Sequence, residues 1–107
     1  MPAYLIGDVT VKDPMAYEQY RTEVGDLIAR HGGEYMVRGG EVEVVSGDWR
    51  PNRLIILRFP NKAAIRAYLN DPVFHKLGEL RQQAMKRQVV MVEGVESPKV
   101  APSARML

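Results

Sequence analysis

Residues 53–59, RLIILRF, place four apolar side chains in a row and a phenylalanine just beyond. Neighbouring residues of a strand point to opposite sides of the sheet, so a strand of this composition is apolar on both faces and needs cover on both. Residues 3–11, AYLIGDVTV, extend the same demand. Alternation puts Leu5, Val9 and Val11 on one face and Tyr4, Ile6, Asp8 and Thr10 on the other. QVVMVEGV, from residue 88, is the third apolar strand.

The segments between supply helices. Asp13 is a suitable N-cap and Pro14 fits the first helical position. Tyr17, Tyr20, Val24, Leu27 and Ile28 then recur on one stripe, and Gly32-Gly33 ends the helix through the left-handed cap conformation. Asn61 caps a short helix carrying Ile65, Tyr68 and Leu69. Asp71-Pro72 caps another, whose buried side holds Phe74, Leu77, Leu80 or Ala84, and Met85. Residues 34–38 and 41–46 read as strand segments. Gly39-Gly40 between them either turns a hairpin or bends one long strand, and five residues are short for a hairpin arm, which favours the bend. SGDWRPN is then the true turn.

Strand, helix, strand, strand, helix pair, strand is the split β-α-β order of a ferredoxin-like α+β fold, an antiparallel sheet with its helices on one face. Ile6, Met36, Leu54 and Ile56, with either Met91 or the Val90/Val92 pair, are left on the face without helices. A bare patch of that size exceeds what soluble monomers usually carry. A second copy, packed sheet to sheet about a two-fold axis, would cover it. The expected unit is a homodimer: residues 1–96 as one domain and 97–107, SPKVAPSARML, as an extended or disordered tail.

Composition narrows the chemistry. The 107 residues include no cysteine, which removes disulfides, thiolate nucleophiles and cysteine metal sites, and suits a reducing cytoplasm. The opening MPAYLIGDV lacks the charged-then-apolar pattern of a secretory signal, so a cytoplasmic protein is expected. No apolar run approaches the roughly 20 residues that span a bilayer. A net charge of +2, with both signs interspersed, gives no reason to expect nucleic acid. RLIILRF offers aliphatic residues where an RNA-binding sheet of this topology would present aromatics. The glycines match neither the Walker pattern nor the dinucleotide fingerprint, and no histidine-carboxylate set has metal-ligand spacing, so neither cofactor nor metal is implied.

Four stretches, AYLIGDVTVKDPMAYEQY, HGGEYMVRGGEVEVVSGDW, RLIILRFPNKAAIRAYLNDP and LRQQA with VVMVEGV, resemble domain-of-unknown-function family 1330 of the dimeric α+β barrel superfamily. The resemblance spans residues 3 to about 95. It implies a ferredoxin-like protomer and a dimer whose sheets form a barrel. It brings no catalytic residues. Its wider relatives include cofactor-independent monooxygenases, lactone isomerases and haem-binding enzymes, so the fold by itself leaves the chemistry open.

Alternation nominates a site on the helix-free face: Asp8 and Tyr4 on the first strand, Arg38 beside Met36, and Arg58 beside Leu54 and Ile56. Glu93 joins them only in the alternative register of the last strand. Tyr4, Arg38, Arg58 and Trp49 are the candidate ligand-binding residues, with arginine suited to a carbonyl or an anion. Asp8 and His75 are the candidate catalytic residues, as proton carriers. The competing reading makes these charges strand-end residues that reach solvent or pair with one another, His31 a helix cap and Trp49 a cap on the core edge instead of a lid on a pocket mouth. The expected function is binding of a small organic, anionic molecule between the two sheets, with cofactor-free oxygenase- or isomerase-type chemistry. The alternative is a non-catalytic binding or assembly module with a filled barrel.

Overall fold

Three of the helices begin where a side chain can satisfy their first free amides. In the computed structural model, which describes residues 1–96, Asp13 accepts from the backbone N–H of Met15 and Ala16, both at 3.1 Å, and opens α1 (Pro14–Arg30). Asn61 accepts from Ala64 at 2.8 Å and opens α2 (Lys62–Asn70); Asp71 accepts from Val73 at 2.8 Å and opens α3 (Pro72–Lys76). Gly32, at φ 80°, ends α1 by donating to the Ala29 carbonyl, while Gly33 donates to that of Ile28. These paired bonds form a Schellman cap.

The strands are β1 (Ala3–Val11), β2 (Glu34–Arg38), β3 (Arg53–Phe59) and β4 (Met85–Glu93). They form one antiparallel sheet in the order β2-β3-β1-β4. Together with α4 (Gly78–Ala84), this is the expected α+β, ferredoxin-like arrangement.

One layer of core lies between sheet and helices. Leu5, Val9, Leu57 and Phe59 point into it from the sheet, and Leu27, Ile28, Ile65 and Phe74 close it from above. Among the described residues, no helix lies over the other face of the sheet. Tyr4 opposes Val92 and Ile6 opposes Val90, so the last strand turns the Val90/Val92 pair to this side and Met91 to the core. Val90 is 59 % exposed and Met36 54 %.

Three expectations are corrected. Residues 41–46 join no sheet: β2 stops at Arg38, and residues 39–52 form a long exposed connection. The helix after Asp71 breaks at Leu77 into α3 and α4, and Met85 opens β4 instead of closing a helix. A bulge between Tyr35 and Val37 shifts the β2 register, which places Arg38 opposite Ile55 on the helix side, away from the face expected for it. An extra residue in one strand reverses the facing of everything after it. The tail, residues 97–107, lies outside the described residues.

No helix among the described residues is long and apolar enough to cross a membrane.

Candidate functional site

Between α1 and the sheet lies a cavity of about 90 Å³. Its floor is the middle of the sheet, where Gly7 stands between Leu5 and Val9 on the core-facing side of β1. A methyl group at position 7 would sit 3.6 Å from Val89 Cγ2, in ordinary contact, so the missing side chain is what leaves the space open. Tyr17, Tyr20 and Val24 of α1 form the roof, with Tyr35 and Tyr68 on the walls.

Arginines hold these tyrosines from outside. Arg53 Nε donates to the Tyr17 hydroxyl at 3.1 Å, and Arg81 Nη1 donates to the Tyr20 hydroxyl at 3.2 Å. The Arg81 guanidinium also covers the Phe74 ring at 3.9 Å and donates to the Phe74 carbonyl. Arg38 lies over the Tyr35 ring at 3.9 Å. Stacking of this kind fixes the guanidinium plane while leaving its N–H groups free to donate. Arg38 makes no ion pair with any described residue.

A more polar recess of about 230 Å³, lined by Arg21, Thr22, Gly25, Tyr35 and Arg38, shares Arg21, Tyr35 and Arg38 with the cavity. Glu18 engages Arg21 at 3.2 Å within α1. The site is therefore mainly aromatic and aliphatic inside, with Arg87 in its floor and Arg21 and Arg38 shared with the polar recess. That is the composition of a pocket for a small molecule with one charged end.

Loss of water raises the hydroxyl pKa of Tyr35 and, more strongly, of Tyr68. Both are neutral phenols at physiological pH, able to donate a hydrogen bond. Desolvation also lowers Arg87, which lines the floor beside Val89, from its ordinary value. Among the described residues, no carboxylate or imidazole lines the cavity.

The residues nominated from sequence are divided between locations. Tyr4, Asp8 and Arg58 share the helix-free face, as alternation places them. Asp8 there accepts from the Asn52 backbone N–H at 2.9 Å and from Trp49 Nε1 at 3.4 Å, pinning the return leg of the long connection. Arg58 pairs with Glu34 at 3.3 Å. Trp49 is 62 % exposed. His75 is exposed on α3 and meets only the edge of Phe74 among aromatic rings. Arg38 alone reaches the helix-side cavity. His31, the expected cap, does end α1, and its Nε2 meets Asp71 Oδ2 at 2.9 Å.

Sequence reasoning missed the tyrosines and Arg21, Arg53 and Arg81. The available signal was four tyrosines at core-facing positions where aliphatic residues would fill space without a hydroxyl to satisfy.

The fold and the cavity define the class: a ferredoxin-like α+β protomer with a hollow under its first helix. Residues 2–95 match the domain of unknown function DUF1330, and the chain belongs to that family. Several solved structures share the fold. A Rhodopseudomonas palustris protein of unknown function superposes with a TM-score of 0.72 at 21% identity, covering 90% of this chain and 84% of its own. SnoaB, described as a cofactor-independent oxygenase from Streptomyces nogalater, gives 0.62 at 15% identity, covering 92% and 98%. A Bacteroides fragilis protein described as dimeric, of unknown function and with a ferredoxin-like fold, gives 0.58 at 15% identity over 87% and 96%. No curated protein matches the chain.

Proposed function

We propose that this protein binds a small, flat organic anion in the helix-side cavity of each protomer. The observation that carries the reading is Arg38: an arginine without an ion-pair partner among the described residues, stacked on Tyr35 beside a hollow lined, apart from Arg21 and Arg87, by aromatic and aliphatic residues. The ligand's apolar body would lie over Gly7 among Tyr20, Tyr35 and Tyr68, with its carboxylate or enolate turned to Arg38 and Arg21. The working unit is a homodimer in which a second copy covers the helix-free face. The uncovered Ile6, Ile56, Val90 and Val92 support this, as does the dimeric relative with the same fold.

Catalysis is a second reading, favoured by the likeness to a cofactor-independent oxygenase. Here the cavity would hold a substrate that ionises readily, with Arg38 steadying the developing negative charge. Because no carboxylate or imidazole lines the cavity, binding is the better supported role. Asp8 and His75 serve the binding reading in neither case: one pins the connection and the other faces solvent.

A panel of aryl carboxylates and phenols, screened by thermal shift and then calorimetry, tests the proposal. A true ligand at 100 times its Kd stabilises by about 2.7 kcal/mol. Arg38→Ala is expected to weaken it roughly ten- to hundred-fold, the range for a charge-assisted hydrogen bond. Gly7→Val, which fills the floor, is expected to abolish binding while the protein still melts cooperatively. A ligand that binds both variants like the native protein would place the site elsewhere, and a panel with no ligand would refute the reading.

A further inference from the structure

Arg38 and Arg87 stand at opposite borders of the sheet, one on β2 and the other on β4, and both line the cavity on the helix side. Strand register relates them. Arg38 is opposite Ile55, Ile55 is opposite Gly7, and Gly7 is opposite Val89, so one row of residues crosses the sheet beneath the cavity. Arg87 lies two residues along β4 from the end of that row and on the same face. Three strand-to-strand steps of about 4.8 Å put β2 and β4 roughly 14 Å apart at the backbone. Gly7 is the one position of the row without a side chain, so the path between the two arginines is open at its middle.

Charge on the same wall is unbalanced. Three guanidiniums line the cavity, those of Arg21, Arg38 and Arg87, and among the described residues no carboxylate does. Glu18 pairs with Arg21 at 3.2 Å. Neither Arg38 nor Arg87 has an ion-pair partner among the described residues. Arg87 also has a cation for a neighbour: the guanidinium of Arg81 lies 3.9 Å from the centre of the Phe74 ring, and that of Arg87 5.8 Å from it. Arg81 is held by the Tyr20 hydroxyl and the Phe74 carbonyl, whereas Arg87 is exposed and open to a ligand. Like charges at one ring destabilise each other, and an anion placed there relieves both.

We propose that the cavity takes a ligand with two separated acidic groups, a dicarboxylate bridged by a flat apolar body, one carboxylate on Arg38 and the other on Arg87. The proposal rests on the binding reading above and adds the second end. With Glu18 holding Arg21, two negative charges bring the lining to neutrality. A ligand with a single anionic end would answer Arg38 and leave Arg87 unanswered. A compact dianion such as phosphate is too short to touch both borders of the sheet. Each guanidinium offers the planar fork that a carboxylate meets with paired hydrogen bonds.

Calorimetry with matched acids tests the proposal. The probes are terephthalate, naphthalene dicarboxylate and biphenyl dicarboxylate, with carboxylates at their far ends, each beside its monocarboxylate, and inorganic phosphate as the compact dianion. At least one dicarboxylate is expected to bind roughly ten- to hundred-fold more tightly than its monocarboxylate, the range of one charge-assisted contact. Arg87→Gln should erase that advantage and leave the monocarboxylate's affinity unchanged, which also shows that the variant is folded. Arg87→Lys, which keeps the charge without the fork, should retain part of the advantage. A dicarboxylate that binds no more tightly than its monocarboxylate, or whose advantage survives Arg87→Gln, overturns the two-ended ligand and spares the binding reading. Phosphate that binds as tightly as the best dicarboxylate overturns it too. If none of the acids binds, both readings fall.

Discussion

Gly33 gives the sharpest test of how the core is packed. It follows the Schellman cap of α1 and leads into β2, and its φ lies outside the left-handed region, so its backbone suits any residue. Space is what forbids a side chain. A Cβ there would fall 2.7 Å from Ile28 Cγ2, 2.7 Å from Phe59 Cζ and 2.8 Å from Phe59 Cε1. Phe59 is fully buried and Ile28 nearly so, so neither can swing away. Forcing a methyl group into a packed core costs about 1–3 kcal/mol. At about 4–8 °C per kcal/mol for a domain of this size, Gly33→Ala should lower the melting temperature by roughly 5–20 °C. Gly25 is the internal control. It lies within α1, nothing stands within 4 Å of its would-be Cβ, and alanine there should gain about 1 kcal/mol of helix propensity. Circular dichroism melts of the two variants should therefore move in opposite directions. A Gly33→Ala protein that melts with or above the native one would show that the strand can step away from Phe59, and the packing argument would fail.

Alkaline and acid titrations probe other parts of the structure. Burial raises Tyr68, so the stability it lends is present below the unfolded tyrosine value near 10.0 and fades as pH rises above it. Tyr68→Phe should melt like the native protein at neutral pH and lose less between pH 9 and 11 (about one unit either side of that value). Asp71 is held below its ordinary 3.8, first by the hydrogen bond with His31 and then by the Val73 amide. Its contribution is thus present above that value and lost as pH falls through the lowered one, so Asp71→Asn should flatten the acid limb of a melting-temperature profile. Trp49, the only tryptophan, is well exposed in the protomer. Under the proposed homodimer, its emission should shift to the blue as concentration rises if the second copy covers that connection, and an emission maximum independent of concentration would count against such cover.

What the sequence disclosed depended on the range of the interaction. Helix starts were legible because a cap binds amides two or three residues away: Asp13, Asn61 and Asp71 all cap as their neighbourhoods imply. Faces of β1 and β3 were legible because alternation there is unbroken. Arg38 was misplaced because alternation carries no mark for the extra residue at the β2 bulge. Residues 41–46 were read as a strand segment, but alternation does not supply a neighbouring strand to pair with, and they join no sheet. The break at Leu77 was hidden because apolar spacing continues across it. The cavity was the least legible part. Tyr17 meets Arg53 across 36 residues and Tyr20 meets Arg81 across 61, and no local pattern announces such pairs.

Gly7 makes capacity a one-residue trait. Alanine at that position would shorten the largest acceptable guest by about one methyl group and valine by about three, at roughly 0.8 kcal/mol of lost contact apiece. The nearest neighbours of a Cβ at that position all belong to β1 and β4, on the core-facing side of the sheet. Under the binding proposed above, the size of the guest would then be set by one residue that lies away from the face offered to a second copy.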